Sequence, residues 1–184
     1  MIVGIDEVGR GCWAGPLVAG AVILGEPIEG LKDSKKLSKR ERERLTGEIK
    51  RKAVAIGLGW VWPHEIDEIG LTAAVTKAMR EALGQIGADY DEVIIDGHLN
   101  FLPENPKTQA VIKADDTVPA VSAASIVAKV ARDLYMAKIA SKFPGYGFEA
   151  HVGYGTAAHV TALAQLGVSP IHRKSFKPIR AMLQ

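Results

Sequence analysis

Hydrophobic and polar positions divide this chain into short apolar runs and longer segments with helical spacing. The apolar runs are rich in β-branched residues and bounded by glycine, proline or charge, which predicts β-strands. These strands are predicted at Ile2 to Val8, Leu17 to Leu24, Ala53 to Trp62, Glu92 to Gly97 and Ala110 to Lys113. Helices are predicted from Ser38 to near Lys52, His64 to Ile69, Thr72 to Ile86, Pro119 to about Ser141 and about Thr156 to Gly167.

The order of these elements predicts a mixed α/β architecture. The turn at Ala14-Gly15-Pro16 joins the first two strands and favours a hairpin. The later strands are separated by helices, which favours parallel pairing. Ser38 is expected to cap the first helix, with Glu41 completing a capping box. We therefore expect a sheet with helices packed against it.

Acidic residues stand at the ends of several predicted strands. In open α/β sheets the functional crevice lies beyond the carboxyl ends of the strands, so Asp6, Asp96 and Asp115 are candidates for one site. Neighbouring strand residues point to opposite faces, so Glu7 can join Asp6 only if the strand ends or bulges between them. A buried group of carboxylates is costly without cations, which indicates a divalent metal site.

Composition bounds the size and class of the protein. The chain has 184 residues, 47% of them hydrophobic, which predicts one core-bearing domain over residues 1–184. No apolar run is long enough for a membrane span and no signal peptide is indicated, so a cytoplasmic protein without membrane contacts is expected. The single cysteine, Cys12, cannot form an internal disulfide, which agrees with a reducing compartment.

Charge is informative through its distribution, because the formal net charge is only +2. One basic cluster lies before and within the first predicted helix: Lys32, Lys35, Lys36, Lys39, Arg40, Arg42 and Arg44. Glutamates interleave there, so a solvated face is an open alternative to nucleic-acid binding. A second cluster comprises Arg173, Lys174, Lys177 and Arg180. It contains no acids and is the better candidate for binding phosphates.

Several motifs together resemble those of a known family. In chain order they are G-I-D-E-V-G-R-G, D-S-K-K-L-S, I-I-D-G, I-K-A-D followed by S-A-A-S-I-V-A-K-V-A-R-D, and G-Y-G-T. Each is weak alone, but in this order over nearly the whole chain they are specific, and the chain resembles bacterial ribonuclease HII. The resemblance implies a ribonuclease H-like α/β fold, a five-stranded mixed sheet flanked by helices. It also implies that roughly residues 140–184 form a C-terminal helical part that helps to bind nucleic acid.

The same resemblance implies an endoribonuclease that hydrolyses the RNA strand of RNA·DNA hybrids. It further implies nicking on the 5′ side of single ribonucleotides embedded in duplex DNA, which leaves 3′-hydroxyl and 5′-phosphate ends. The expected partners are RNA·DNA hybrid and DNA containing ribonucleotides. A monomer is expected, and the tail after Arg180 shows no evident clamp-binding peptide. The alternative is a non-catalytic hybrid-binding module, which would be expected to lack at least one family acid, and none is missing.

Matching the family motifs residue by residue implies four catalytic, metal-binding carboxylates: Asp6, Glu7, Asp96 and Asp115. Such oxygen ligands suit Mg²⁺ or Mn²⁺, with two ions expected during catalysis. We expect Asp6 to bridge the ions, while the division of the other acids between them stays open. The chain departs from the family at Ala114, usually glycine, and at Asp116, usually small and neutral. Asp115 is favoured as the ligand, and Asp116 as a cap for the following helix.

The resemblance also implies residues that bind substrate. Gly9, Arg10 and Gly11 are expected to read the ribonucleotide, because glycine lets the backbone approach a ribose 2′-hydroxyl. Tyr154 is expected at the RNA-to-DNA junction, whereas Tyr146, between similar glycines, is expected to be an apolar anchor. Phosphate contacts are expected from Lys35, Lys36, Arg173, Lys174 and Ser175.

Other residues are expected to have structural or surface roles. The histidines lack the spacing of a zinc site, so surface or loop positions are expected for His64, His98, His151, His159 and His172. Trp60 and Trp62 lie on a predicted strand and are expected to pack in the core or at an edge rather than to stack on bases.

Overall fold

The strand that carries Asp6 and Glu7 lies beside the strand that ends at Asp96, in one sheet. The computed structural model of the chain describes residues 1–183, and its sheet has the strand order β3-β2-β1-β4-β5. The strands are β1 Ile2–Val8, β2 Leu17–Leu24, β3 Ala53–Val61, β4 Glu92–Asp96 and β5 Thr108–Val111. The β1–β2 and β2–β3 pairs are antiparallel, and the β1–β4 and β4–β5 pairs are parallel. The predicted five-stranded mixed sheet is therefore confirmed.

Helices cover both faces of this sheet. The longer helices are α1 Lys39–Lys52, α3 Leu71–Gly84, α5 Pro119–Ala140 and α7 Ala157–Leu166. The shorter helices are α2 Pro63–Ile69, α4 Ala114–Thr117, α6 Phe148–His151 and α8 Lys177–Arg180, with a 3₁₀ turn at Ser34–Lys36. One hydrophobic core lies between α3 and the sheet, and a second lies between the sheet and α1 with α5. Among the helices of residues 1–183, none combines the length and apolar character needed to cross a membrane.

The ends of the elements follow local signals in the sequence. Ser38 accepts the backbone N–H of Glu41 at 3.3 Å, and the Glu41 carboxylate accepts the backbone N–H of Ser38 at 2.8 Å. These two bonds are the predicted capping box. The last strand, Thr108–Val111, begins and ends two residues earlier than predicted. It ends there because Lys113 takes a left-handed conformation (φ 59°) that turns the chain into α4.

Small residues allow two helices to sit directly on the sheet. A Cβ at Gly59 in β3 would lie 1.9 Å from the carbonyl oxygen of Ala78 in α3. A Cβ at Gly4 in β1 would lie 2.1 Å from the carbonyl carbon of Ala120 in α5. Backbone atoms would have to move to relieve such contacts, so these positions need glycine because helix and strand backbones touch there.

The exposed edge of β3 is bonded to side chains of α3 and its C-terminus. Gln85 accepts the backbone N–H of Leu58 at 3.2 Å and donates to its carbonyl at 2.6 Å. Glu81 accepts the backbone N–H of Trp60 at 3.3 Å, and the Trp60 ring stacks on Trp62 at a centroid distance of 5.9 Å. The tryptophans therefore pack at the sheet edge, as predicted, and the edge is less open to pairing with another strand.

Replacing Gly59 by alanine is expected to lower the free energy of unfolding by about 1–3 kcal/mol, because the added methyl group collides with the α3 backbone. The matched control is Gly47→Ala within α1, where a Cβ meets only the Arg51 side chain, at 3.7 Å. There alanine is expected to be neutral or to stabilise by up to about 1 kcal/mol through helix propensity. Urea denaturation measures both changes. Equal stability of the two variants would contradict the backbone contact between α3 and β3.

Candidate active site

Three of the four predicted catalytic acids meet at the carboxyl ends of β1, β4 and β5. The parallel register of β1 and β4 sets Ile5 opposite Ile95, so Asp6 and Asp96 follow at neighbouring positions. Asp115 lies in the first turn of α4, just after β5, and its backbone N–H donates to Asp96 Oδ1 at 3.3 Å. Asp6, Asp96, Asp115 and Glu7 form the acidic edge.

Glu7 reaches the acidic edge without a break in its strand. β1 runs to Val8 in continuous register with β2, so Glu7 joins the site without the strand end or bulge that was expected to be necessary. The two side chains leave opposite faces of the strand, as alternation requires. Both still border the same cleft, and Glu7 also lines a smaller cavity with Asp96, because β4 ends there and leaves the end of β1 open.

The acidic edge is poorly balanced by positive charge from the protein. Burial raises the pKa of Asp6 well above its ordinary value, and the charges of Glu7 and Asp96 raise it further. Burial also raises the pKa of Glu7, although Arg10, at 3.5 Å, opposes this rise. The pKa of Asp115 is raised by burial and then by Asp96. Such shifts mean that the ionised acids lack compensation, which a bound cation would supply.

Hydrogen bonds orient the Asp6 carboxylate. Its Oδ1 accepts the backbone N–H of Glu7 at 2.8 Å. The nearby Ser125 hydroxyl in α5 opposes the rise in the pKa of Asp6. The Ser125 hydroxyl also lies 2.8 Å from the Ser34 hydroxyl of the 3₁₀ turn. The D-S-K-K segment and α5 are thus both tied to the acid at the centre of the site.

One stripe of α5 supplies site residues that are not among those predicted from the sequence. Ser122, Ser125, Lys129 and Arg132 recur at intervals of three or four positions and therefore share a face of the helix. Ser125 and Lys129 line the same cleft as Asp6, as does Ser34. The signal that could have identified them is this helical spacing of polar residues within an otherwise apolar segment.

A cleft of about 550 Å³ opens beside Asp6 and Glu7 of the acidic edge. Its lining includes predicted catalytic and substrate-binding residues from distant parts of the chain: Asp6, Glu7, Gly9, Arg10, Gly11, Lys35 and Tyr154. The sequence motifs around these residues therefore converge on a single concave surface, the usual form of a binding site.

Asp116 and Lys36 form an ion pair beside the cleft. The Lys36 Nζ lies 2.6 Å from Asp116 Oδ2, and this interaction lowers the pKa of Asp116. The prediction that Asp116 caps the following helix is wrong, because Asp116 lies inside α4 and the N-terminus of α5 has no side-chain cap. Asp115 is the buried member of the pair of adjacent acids, and it contacts Asp96.

Arg173 does not lie on the surface, where a phosphate contact would require it. The side chain is fully buried and donates to the Gly15 carbonyl at 3.0 and 3.1 Å and to the Arg10 carbonyl at 3.0 Å. The prediction that Arg173 contacts phosphate is therefore wrong. Burial lowers its pKa to about 10, so the guanidinium stays charged at neutral pH.

Lys174 and Ser175, next in the chain, are exposed and anchored to α2. Their backbone N–H groups donate to Asp67 at 2.8 and 2.9 Å, and the Ser175 hydroxyl donates to the same carboxylate at 2.6 Å. Phosphate contacts from these two residues stay a prediction.

Arg132 in α5 is a second fully buried arginine beneath the same loop. It donates to the carbonyls of Pro16 and Val152 at 2.8 Å and to that of Ala14 at 3.1 Å. A Cβ at Gly9 (φ 88°) would lie 2.3 Å from the Arg132 Nε, so glycine is needed there for both conformation and space. Together the two arginines connect residues 9–16 to the segment before Tyr154 and to the C-terminal part.

Gly11 differs from Gly9, because no neighbouring atom of the protein would collide with a side chain at this position. A Cβ at Gly11 would meet nothing within 4 Å, and the residue is exposed. Arg10 between them is also exposed, with its guanidinium 5.7 Å from the centre of the Phe101 ring. The loop therefore offers open backbone and a charged side chain to the cleft.

The two glycine-flanked tyrosines have different surroundings. Tyr146 is buried, stacks on Phe148 at a centroid distance of 5.1 Å and donates its hydroxyl to the Gly167 carbonyl at 2.8 Å. Its predicted role as an apolar anchor is confirmed. Tyr154 is 38% exposed, lines the cleft and lies 5.6 Å from the Lys129 ammonium. Burial of the phenol raises its pKa to about 12, so it is neutral at physiological pH.

Three histidines are buried together in the C-terminal part. The Nε2 atoms of His159 and His172 lie 2.9 Å apart, and the rings of His151 and His159 stack at 4.4 Å. The prediction of surface or loop positions is wrong for His151 and His159, which lie in α6 and α7, whereas His172 lies in the loop after α7 but is buried. It failed because contacts between α6, α7 and the segment after α7 are not visible in sequence spacing.

The acidic edge suits hard divalent cations through its chemistry and charge. Over residues 1–183, no three His, Cys, Asp or Glu side chains are already arranged around a point that could hold a metal ion. The four acids nevertheless offer only carboxylate oxygens, the donors that Mg²⁺ and Mn²⁺ prefer. The raised pKa values of Asp6, Glu7 and Asp115 indicate missing positive charge. Asp6, Glu7, Asp96 and Asp115 therefore fit such ions once their side chains close around them.

Comparison with known proteins points to one family. A profile of the family described as Ribonuclease HII matches residues 3–179. A ribonuclease HII of Hyphomonas neptunium is 48% identical over 202 residues, which cover 100% of this chain and 97% of that protein. A ribonuclease HII of Bacillus thuringiensis is 50% identical over 185 residues, which cover 100% of this chain and 71% of that protein. The crystal structure of the ribonuclease H2 from Pyrococcus horikoshii has a TM-score of 0.83 and 29% identity, covering 98% of this chain and 96% of that one.

Replacing Asp6 by asparagine is expected to raise the melting temperature in metal-free buffer near pH 7. Because its pKa is raised on folding, the acid lowers stability as pH rises above its ordinary value of 3.8. The amide removes this cost and still accepts the Glu7 N–H. We expect an increase of about 2–4 °C, the response of a domain of this size to about 1 kcal/mol. The variant should also lose the stabilisation that Mn²⁺ gives the unmodified protein, which melting curves with and without Mn²⁺ measure.

The control for this experiment is Asp116→Asn, which removes an acid close to the acidic edge but paired with Lys36. Its response to Mn²⁺ should equal that of the unmodified protein. A metal response that survives Asp6→Asn and disappears in Asp116→Asn would move the cation site away from the acidic edge.

Proposed function

The chain belongs to the ribonuclease HII family, and we propose that it nicks duplex DNA on the 5′ side of a single embedded ribonucleotide with two metal ions. As a member of this family it is a metal-dependent endoribonuclease that hydrolyses the RNA strand of RNA·DNA hybrids. The observation that carries the finer proposal is the cleft that Asp6 and Glu7 of the acidic edge share with Gly9 to Gly11 and Tyr154. A cleft with these parts can read one sugar and cut beside it.

The glycine loop is suited to recognise the ribonucleotide. The 2′-hydroxyl both donates and accepts, so backbone carbonyl and N–H groups can distinguish RNA from DNA if they come close enough. The open space at Gly11 permits that approach. Arg10 is exposed beside it and can bind an adjacent phosphate. Because one sugar supplies the whole signal, a single ribonucleotide is sufficient for recognition.

Tyr154 is suited to the neighbouring sugar on the DNA side of the junction. Its ring is partly exposed in the same cleft, and a flat apolar surface fits a sugar that lacks the 2′-hydroxyl. Lys129 and Lys35 line this cleft and supply positive charge along the backbone of the strand. Arg10, the glycine loop and Tyr154 would thus contact three adjacent groups of the substrate: a phosphate, the ribose and the deoxyribose.

The acids of the acidic edge would hold the two cations. Bound there, the ions would supply an activated water and stabilise the leaving 3′-oxygen in an in-line displacement. The Glu7 backbone N–H orients the Asp6 carboxylate. In the reaction the water oxygen bonds to phosphorus as the bond from phosphorus to the 3′-oxygen breaks. The products are a 3′-hydroxyl on the DNA and a 5′-phosphate on the ribonucleotide.

Cleavage of a DNA duplex that contains one ribonucleotide tests the proposal. With Mg²⁺, gel mapping should show one nick on the 5′ side of the ribonucleotide, with 3′-hydroxyl and 5′-phosphate ends. Asp96→Asn should still bind the duplex but lose more than the roughly 10–100-fold that removal of an outer-shell residue costs at a metal site. A requirement for several consecutive ribonucleotides, or normal cleavage by Asp96→Asn, would refute the proposal.

The role of Tyr154 is tested by comparing Tyr154→Ala with Tyr146→Ala on two substrates. Tyr154→Ala should lower cleavage at a single ribonucleotide more than cleavage of a uniform RNA·DNA hybrid, with little change in melting temperature. Tyr146→Ala should lower the melting temperature and affect both substrates alike, because Tyr146 packs on Phe148. An equal loss on both substrates for Tyr154→Ala would remove this residue from junction recognition.

A further inference from the structure

A chain of hydrogen bonds through two buried histidines ends on the backbone of Tyr154. The Ser169 N–H donates to His172 Nδ1 at 2.9 Å, and His172 Nε2 lies 2.9 Å from His159 Nε2. His159 Nδ1 in turn lies 2.9 Å from the Tyr154 carbonyl oxygen. We propose that His159 and His172 are positioning residues that fix Tyr154 in the cleft and thereby set the preference for single ribonucleotides. This inference rests on the junction role proposed above for Tyr154.

The bonding partners assign the protons on the two rings. The Ser169 N–H and hydroxyl lie 2.9 and 2.7 Å from His172 Nδ1, closer than the Ser169 carbonyl oxygen at 3.3 Å, so this nitrogen accepts. A carbonyl oxygen can only accept, so His159 Nδ1 carries a proton and its Nε2 is an acceptor. His172 Nε2 must then donate to His159, which leaves His172 Nδ1 free to accept the Ser169 N–H. Both rings are neutral and all four ring nitrogens are bonded. The chain of bonds therefore has one direction, from Ser169 to Tyr154.

The apolar surroundings of His159 and His172 keep both rings neutral. His159 is fully buried and His172 is 1% exposed. Phe148 contacts both rings, with centroid distances of 5.5 and 5.7 Å. Burial lowers the pKa of both histidines, that of His172 to about 4, so they stay neutral under ordinary assay conditions. Neutral rings with complete bonding are suited to hold geometry rather than to exchange protons.

A third histidine fixes the residue that precedes Tyr154. His151 Nδ1 accepts the Gly153 N–H at 3.2 Å, and His151 Nε2 lies 2.7 Å from the Tyr146 carbonyl oxygen. The His151 ring stacks on His159 at 4.4 Å. The backbone is thus held by histidines both at Gly153 and at Tyr154. Such support matters because a misplacement of about 1 Å in a positioned group can cost 10²-fold in rate.

His159 allows a matched pair of substitutions. Asparagine places its amide where Nδ1 is, so His159→Asn keeps a donor for the Tyr154 carbonyl. Glutamine reaches the position of Nε2, so His159→Gln loses that donor. We expect His159→Gln to lower the ratio of kcat/KM for a single ribonucleotide to that for a uniform hybrid by roughly fivefold, the effect of one hydrogen bond. His159→Asn should keep most of the ratio.

At His172 the glutamine and asparagine variants are expected to have the opposite effects to those at His159. There glutamine keeps the donor to His159, whereas asparagine loses it and reaches only the Ser169 side. His172→Gln should therefore retain the ratio that His172→Asn loses. A general loss of packing would not invert the order of the two amides between neighbouring sites. If either histidine pair fails to fold, the other still decides the question, and the same amide order at both sites would overturn the proposal.

A double-mutant cycle with Tyr154→Ala tests whether the effect passes through this tyrosine. His159→Gln should not change the substrate ratio further when Tyr154 is already alanine. A fall in the ratio by the same factor in both backgrounds would overturn the positioning role. If Tyr154→Ala itself leaves the ratio unchanged, the junction role of Tyr154 fails first, and the inference falls with it. The two failures are distinguishable because the single tyrosine variant is measured on its own.

Discussion

Unbalanced negative charge at the ends of β1 and β4 is the constraint on which the site depends. Parallel pairing of these strands puts Asp6 beside Asp96, and α4 adds Asp115. Burial and mutual repulsion raise the pKa of Asp6, so the protein alone pays a cost in stability to keep this acid ionised. Bound cations would offset this loss of stability during cleavage of the substrate. The acidic edge is therefore a place where stability is given up for catalysis.

Buried positive charge lies beneath the loop that carries Gly9 to Gly11. Arg132 and Arg173 donate to backbone carbonyls, and neither forms an ion pair within residues 1–183. They hold the Gly9 to Gly11 loop against the segment that carries Tyr154. The same residues therefore fix the loop and leave uncompensated positive charge beneath it, which favours the phosphates of a nucleic acid.

Local patterns predicted much of the fold, and contacts between distant segments account for most of what they missed. The capping box at Ser38 and the acids at the ends of strands depend on neighbouring residues, so they could be predicted from the sequence. Arg173 belongs to a basic cluster in the sequence, and nothing nearby in the chain indicates that its side chain inserts beneath Gly15. The cluster of His151, His159 and His172 likewise forms only when α6 and α7 fold together. Ser125 and Lys129 were detectable through their helical spacing, but their role depends on where α5 crosses Asp6.

The most direct test of this account is an anomalous difference map of the protein crystallised with Mn²⁺ and a duplex containing one ribonucleotide. A phosphorothioate on the 5′ side of the ribonucleotide would slow cleavage. We expect two Mn²⁺ peaks among Asp6, Glu7, Asp96 and Asp115, on either side of that phosphate. The 2′-hydroxyl should contact the backbone of Gly9 to Gly11. Mn²⁺ bound away from the four acids, or a ribose bound outside the cleft, would contradict the account.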